Sequence, residues 1–225
     1  MNTSKFMLLA VLPALLAMLF APAQIGAFSF TETEERERWA SEQAVEERNR
    51  AIEQLLSVPC DERLKKRKMA LIIGQEVEEH GVVYEPQKYG AVFQEINRRL
   101  RQLGLTTYTQ EEIRAQIANE EVRAFLNNEV EAAETAARRL SARYILRGMI
   151  RSKVRLNPVV GIDEVFVNMA FTLVDASGRV ISNVTAGGDS YSGADPMAVA
   201  LDIVQREADL AVAQIYHDFC LFGTK

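Results

Sequence analysis

A run of alternating residues at positions 142–156 constrains the fold of this chain more than any other feature. One side of the alternation is apolar or small: Tyr144, Leu146, Gly148, Ile150, Ser152, Val154 and Leu156. The other side carries five cations, Arg143, Arg147, Arg151, Lys153 and Arg155, together with Ile145 and Met149. A period of two residues predicts a β-strand, and one charged side predicts that the strand belongs to a sheet with an open face.

Two further strands and a long helix follow this run. The sequence predicts strands at about residues 165–175 and 179–186, joined by a tight turn. Asp195 is a suitable N-cap and Pro196 suits the first helical position, so a helix is predicted to begin there. Its core stripe consists of Met197, Leu201, Val204, Ala208, Ala211, Ile215 and Phe219. Consecutive antiparallel strands with one basic side favour a scaffold that presents a surface over one that encloses a reaction.

Upstream elements complete a single predicted α/β domain at residues 60–221. The sequence predicts a short strand at 68–74, a loop at 75–86, a helix ended by Gly104, a short strand at 105–108, and helices at 109–119 and 121–141. Thr109 and Glu112 have the spacing of a capping box, which predicts a helix start. The element order predicts an α/β sandwich with α+β character, in which a mixed sheet with a C-terminal antiparallel meander is flanked by helices.

A separate charged helix is predicted at residues 28–58. It contains eight glutamates and four arginines, and its apolar stripe is thin: Trp39, Val45, Ile52, Leu55 and Leu56. Such a stripe is wide enough to dock the helix on another surface and too narrow to bury it. We therefore expect an exposed N-terminal helix ahead of the α/β domain.

Residues 1–23 have the pattern of a cleaved signal peptide. Lys5 precedes an apolar run at residues 6–20, and an Ala-Pro-Ala sequence ends at Ala23. The run is shorter than the ~20 residues that span a bilayer, which favours cleavage over an uncleaved anchor. Cleavage after Ala27 is an alternative. Because no cysteine lies near the cleavage point, the sequence predicts a periplasmic or secreted protein with neither a lipid anchor nor a further transmembrane segment.

Composition argues against several classes of function. The net charge is −5, which argues against nucleic-acid binding. The chain has two histidines and two cysteines, which are few residues for a metal site or for covalent catalysis. No cofactor or metal is predicted. In an oxidising compartment an even number of cysteines favours a disulfide, here between Cys60 and Cys220. The alternative is two separate buried thiols.

Two stretches carry a resemblance to a known family, namely YILRG at residues 144–148 and LVDASG at residues 173–178. Over about residues 66–220 the chain resembles the periplasmic α/β domain shared by the curli-secretion lipoprotein CsgG, the penicillin-binding-protein activator LpoB, the flagellar protein FlgT and the N-terminal domain of TolB. The resemblance implies this fold and a role in protein–protein contact. The chain departs from CsgG and LpoB in lacking a lipidation cysteine, and from CsgG in lacking strands for membrane-crossing hairpins.

The five cations of the alternating strand are the main candidate binding site. If Val167 and Phe171 face the core, then Asn168 and Thr172 lie on the same side as the cations. Together these residues would form an open platform for an acidic protein partner. One alternative is a solvated face whose charges discourage aggregation. Another is that the acidic helix at residues 28–58 covers the platform.

Three other patterns have simpler explanations. The glycines of residues 187–194 precede a helix, but Asp189 and Asp195 would repel an anion, so a turn with positive φ is the preferred interpretation. His217 at the end of the last helix is explained by the helix dipole rather than by a metal. The loop at residues 156–163 has an apolar tip that either contacts a partner or folds back onto the sheet.

These patterns predict a secreted, non-enzymatic adaptor of the bacterial cell envelope that binds an envelope protein, as an LpoB-like, flagellar or secretion accessory protein would. The alternative is a structural subunit of an oligomeric assembly at the outer membrane, and a homo-oligomer is compatible with the sequence. An enzyme of unrecognised type is the weakest hypothesis, because no nucleophile has a recognisable base beside it.

Overall fold

The computed structural model describes residues 30–88, 90–118, 135, 139–193 and 195–223. Its helices are α1 (Phe30–Leu56), α2 (Glu62–Lys65), α3 (Ala91–Gln102), α4 (Gln110–Gln116) and α5 (Pro196–Phe222). Its strands are β1 (Met69–Glu79), β2 (Val82–Lys88), β3 (Tyr144–Leu156), β4 (Asp163–Asp175) and β5 (Val180–Ser192). The predicted leader and most of the helix predicted at residues 121–141 lie outside the described ranges. No helix within these ranges is long and apolar enough to cross a membrane.

The five strands form one mixed sheet in the order β2-β1-β3-β4-β5. β1 and β3 run parallel, whereas every other neighbouring pair is antiparallel. Strands β3, β4 and β5 are consecutive and form the predicted C-terminal meander. The fold is therefore an α/β sandwich with a mixed sheet, which confirms the predicted fold class.

Helices α3 and α5 pack on one face of the sheet, the inner face. The larger apolar cluster lies there and is built from four of the strands, these two helices, Leu64 of α2 and Leu105. Tyr144 illustrates the packing, because its ring meets Phe219 edge-on at 4.9 Å between centroids. Its hydroxyl donates a hydrogen bond to the Gly223 carbonyl at 2.6 Å, so the buried phenol is satisfied.

A smaller apolar cluster covers one half of the opposite, outer face. It comprises Ala70, Ile72, Ile113, Ile117, Leu140, Ala142 and Ile145. Because the two clusters lie on either side of the same strand, residues 69–73 of β1 are buried on both faces. Burial on both faces explains why this segment is a continuous apolar run rather than an alternating one.

The predicted loop at residues 75–86 is wrong. β1 continues to Glu79, and a two-residue turn at His80 and Gly81 leads into β2. Both turn residues have positive φ, 47° and 86°, as a tight hairpin between twisted strands requires. Histidine seldom marks such a turn, and the glutamates of this segment lower its strand propensity. The predicted strand at residues 105–108 is reduced to one bridge between Met69 and Thr107.

The chain divides into two compact units between Ala44 and Val45, within α1. In the smaller unit the described residues are helical, and all side chains at positions 34–44 are exposed. The larger unit contains the rest of α1 and the sheet. Within it, the Arg48 guanidinium donates to the Glu207 carboxylate of α5 at 2.8 Å. Cys60 is bonded to Cys220, as the sequence predicts.

Candidate functional site

Strands β3, β4 and β5 present a surface that the smaller apolar cluster does not cover, here named the open outer face. It consists of Arg147, Met149, Arg151, Lys153, Arg155, Phe166, Asn168, Ala170, Thr172, Asn183, Thr185, Gly187 and Asp189. Arg147 lies opposite Thr172, and Arg151 lies opposite Asn168. The strand register therefore brings four of the five predicted cations beside the two polar residues predicted on β4.

Arg143 does not belong to this surface. It precedes β3, and its carbonyl accepts a hydrogen bond at 2.9 Å from the Ala176 amide in the β4–β5 turn. Ile145, the next residue on the same side, is fully buried in the smaller cluster. The alternation places Arg143 on the correct side of the sheet, but the covered half of the outer face separates it from the other cations.

Arg151, Lys153 and Arg155 lie beside carboxylates of neighbouring strands. The Arg151 Nε lies 3.4 Å from a Glu76 oxygen, and the Lys153 Nζ lies 2.6 Å from a Glu78 oxygen. The parallel register of β1 and β3 creates both pairs, since it sets each glutamate beside its cation. Arg155 lies 3.5 Å from Glu164. The surface therefore carries a row of three cross-strand ion pairs, here named the charge ladder, in which each of these three β3 cations lies beside a carboxylate of β1 or β4.

These ion pairs contribute little to the stability of the fold. The side chains of Arg151, Lys153 and Arg155 are 57%, 51% and 59% exposed. Exposed pairs of this kind are worth at most about 1 kcal/mol each, because solvent screens the charges and the side chains lose rotamer freedom. The ladder orders the side chains without holding them rigidly, so they remain able to exchange partners.

Arg147 differs from the outer three cations. It lies at the boundary with the covered half of the outer face and is half-buried. Desolvation by burial lowers the pKa of its guanidinium, which nevertheless stays charged at neutral pH. Arg147 is therefore part of the packing of the sheet as well as of its surface.

A shallow groove of about 590 Å³ runs along the open outer face between β3 and β5. Arg151, Lys153, Asn168, Thr185 and Asp189 supply its polar lining. Beside it, the Arg155 guanidinium stacks over the Phe166 ring at 4.2 Å. The groove offers both donors and acceptors, and no pair within it resembles a nucleophile with its base. Such an arrangement suits hydrogen bonding to another molecule.

Gly187 sets the depth of this groove. A Cβ at this position would lie 2.3 Å from the Val167 carbonyl oxygen of β4. Only glycine allows the two strands to approach so closely here.

The interpretation of residues 187–194 as a turn with positive φ is wrong, because β5 continues to Ser192 and neither Gly187 nor Gly188 has positive φ.

His217 belongs to a hydrogen-bonded cluster that ties α5 to the sheet. Asp218 accepts hydrogen bonds from the Ser182 hydroxyl at 2.7 Å and from the Gln214 amide at 2.9 Å, and His217 Nδ1 lies 3.1 Å from the same carboxylate. Cys220 is in the disulfide and is not a ligand. In the part of the chain that the structure describes, no group of three or more His, Cys, Asp or Glu side chains is placed to hold a metal.

The loop between β3 and β4 presents an apolar tip to solvent. Val159, Val160 and Ile162 are 89%, 54% and 44% exposed. Asn157 shapes the loop, because its side-chain oxygen accepts the amides of Val159 and Val160 at 2.9 and 3.4 Å. Its carbonyl also accepts the Gly161 amide at 2.9 Å. The tip therefore does not fold back onto the sheet, and it extends the exposed surface beyond Arg155.

No protein-family model and no curated protein matches this chain. Several solved structures are similar to it. The hypothetical protein CT253 from Chlamydia trachomatis has a TM-score of 0.48 and 15% identity, with coverage of 69% of this chain and 99% of that chain. The PelC L103M dodecamer from Paraburkholderia phytofirmans has a TM-score of 0.36 and 16% identity, with coverage of 70% of this chain and 94% of that chain.

The LpoB C-terminal domain from Salmonella enterica has a TM-score of 0.34 and 12% identity, with coverage of 61% of this chain and 91% of that chain. LpoB is also one of the proteins in the family that the sequence resembles.

Proposed function

We propose that this chain is an exported, non-enzymatic protein of the bacterial cell envelope that acts as an adaptor by binding another protein through the open outer face. The observation that carries the proposal is the set of charged and hydrogen-bonding side chains that three paired strands present side by side. Export is supported by the leader pattern of residues 1–23 and by the Cys60–Cys220 bond, since disulfides persist mainly in oxidising compartments.

The composition of the open outer face suits contact with protein. Met149 and Ala170 lie opposite each other and give the face an apolar centre. Arginine, asparagine and threonine side chains surround that centre, and Phe166 adds an aromatic ring. Methionine, arginine and aromatic residues are enriched at protein interfaces, where an apolar centre is bordered by polar groups. The sheet fixes the backbone from which these side chains project, which lowers the part of the entropy cost of association that would come from ordering the backbone.

The ladder of charges changes the partner that the sequence suggests. Glu76, Glu78 and Glu164 already pair with the cations, so a purely acidic protein would have to compete with them. A partner with both charges and amide groups would instead exchange ion pairs with the ladder. The net charge of the surface then does little to attract the partner over long range. The positions of the individual charges on the strands determine which partner binds.

One observation favours a structural subunit of an oligomer as a second candidate. β5 is a strand of 13 residues at the edge of the sheet, and no described strand pairs with the edge of β5 that faces away from β4. An edge of this length is a template for pairing with a second copy. Sedimentation of the purified protein separates the candidates: an oligomer subunit self-associates at low micromolar concentration, whereas an adaptor stays monomeric until its partner is added.

Changing the charges of one ion pair, Lys153 with Glu78, tests the proposed adaptor function. A partner is first captured from an envelope extract with the tagged protein, and its affinity is then measured for Lys153→Glu and for the swap Lys153→Glu with Glu78→Lys. We expect the single variant to lose under about 1 kcal/mol of folding stability and the swap to regain it, because the pair is exposed. Both variants should bind the partner about tenfold more weakly, since each places a carboxylate where the native protein has the Lys153 ammonium group.

Lys66→Glu provides the matched control, because Lys66 is an exposed lysine that follows α2 and lies outside the open outer face. It should bind like the native protein. If the swap variant also binds like the native protein, the open outer face is a solvated surface and the proposal fails.

A further inference from the structure

A cleft on the inner face of the sheet is separate from the open outer face. It has a volume of about 310 Å³ and lies between the first turns of α3 and α5, over the carboxyl-terminal halves of the parallel strands β1 and β3. Val77, Ile150 and Val167 form its floor, and the exposed residues Ala91 and Ala198 lie at its mouth. Among the described residues that line it, none is charged. In open α/β sheets, ligands bind beyond the carboxyl ends of parallel strands.

Ser152 lines this cleft and is not explained by the packing of the sheet. It is 3% exposed, and its Oγ has no hydrogen-bond partner in the structure. A buried hydroxyl without a partner costs stability, and a valine would suit this strand position equally well. The neighbours of Ser152 on the same side of β3 are the aliphatic residues Ile150 and Val154. The hydroxyl is accounted for if it binds something that enters the cleft.

The two helix ends at the mouth differ in a way that indicates the polarity of the ligand. The N-terminus of α5 is capped by Asp195, whose carboxylate accepts the amides of Met197 and Ala198 at 3.0 Å. The N-cap of α3 is Gly90, which has no side chain, and the first turn of α3 has no acidic residue. The positive end of the α3 dipole is thus not offset by its own residues, which favours an acceptor oxygen on that side.

We propose that the cleft binds an uncharged aliphatic molecule with one oxygen-containing group, a hydroxyl or a carbonyl, that hydrogen-bonds to Ser152. Its aliphatic body packs on Val77, Ile150 and Val167. The ligand is uncharged because an ionic group would have no counter-charge in the cleft and would lose its hydration. The ligand is also small. A group the size of a water molecule occupies ~30 Å³, so a cleft of about 310 Å³ accommodates roughly ten non-hydrogen atoms.

Titration of the full exported protein with 1-octanol, followed by calorimetry and by NMR of the cleft residues, tests the proposal. The native protein should bind one equivalent saturably. Ser152→Ala should bind about fivefold more weakly, as expected for the loss of one hydrogen bond. In the absence of octanol, the same variant should melt at the native temperature or above it, because it no longer buries an unpaired hydroxyl. A purely structural serine would lower that temperature and leave octanol binding unchanged.

A second pair of variants tests the location of the site. Ala198→Trp places an indole at the mouth and should weaken octanol binding more than tenfold, whereas Ala115→Trp, at an exposed position on α4 outside the cleft, should leave it unchanged. The proposal is overturned if the native protein shows no saturable binding or if Ala198→Trp binds octanol like the native protein. Equal binding by Ser152→Ala and the native protein would overturn the role of the hydroxyl.

Discussion

Replacing Cys60 by serine should lower the free energy of unfolding by about 4 kcal/mol, as loss of the link restores freedom to the unfolded chain. The bond joins residues separated by 160 positions, so it closes most of the chain of the larger unit into one loop. Urea unfolding of protein purified without a reductant, followed by circular dichroism, measures the effect. Reduction of the native protein with dithiothreitol should give a similar loss without any substitution.

The two single variants and the double variant distinguish the bond from local packing. Cys60 and Cys220 are half-buried, and both contact the larger apolar cluster. If the bond dominates, Cys60→Ser, Cys220→Ser and the double variant should lose nearly the same stability, because each removes the same link. Losses that add in the double variant, or two free thiols in the native protein purified without a reductant, would contradict the prediction.

Replacing Gly148 by alanine should cost about 3 kcal/mol, because the added methyl group would overpack the core. A Cβ at this position would lie 2.6 and 2.7 Å from two ring carbons of Phe171 and 3.1 Å from the Ile73 side chain. Phe171 lies directly opposite Gly148 on β4 and is fully buried, so its ring has no space to move into. Thermal and urea unfolding of the purified variant test the size of the loss.

A double-mutant cycle ties this loss to the ring. In a Phe171→Leu background, Gly148→Ala should cost only about 1 kcal/mol, because the shorter side chain leaves room for the methyl group. Gly188→Ala is the matched control, since a Cβ there meets its nearest neighbour at an ordinary 3.5 Å. It should change stability by less than about 0.5 kcal/mol. Equal costs of Gly148→Ala in both backgrounds would show that the strain has another source.

Local patterns in the sequence predict much of the fold because they depend on neighbouring residues. From residue 146 to residue 155 the predicted alternation matches the burial pattern of β3, and the predicted caps of α4 and α5 are present. Asp195 caps α5, while Thr109 and Glu112 form the reciprocal bonds of a capping box at α4. Each of these features is decided within a few positions of the chain, so a single sequence contains the information needed to predict it.

The candidate site was harder to predict because it depends on which strands become neighbours. The charge ladder requires β1 to lie parallel to β3 in one register, and the two strands are far apart in the sequence. Glu76 and Glu78, which complete the ladder, lie in the segment that the sequence predicts as a loop, so the sequence pattern does not place them beside β3. For the inner cleft, the sequence contains one local indication. Ser152 places a hydroxyl on the side of β3 that otherwise carries apolar residues and a glycine. Its meaning depended on the helix ends that α3 and α5 bring together above it.

The burial of β1 on both faces has a consequence for the chain before it folds. Residues 69–73 are all apolar, and they stay uncovered until β3, which follows much later in the chain, can pair with them. Short apolar runs of this kind aggregate readily unless charged gatekeeper residues flank them. Lys65, Lys66, Arg67 and Lys68 precede the run, and Glu76, Glu78 and Glu79 follow it. Glu76 and Glu78, which pair with cations in the folded sheet, therefore also have the position of gatekeeper residues in the unfolded chain.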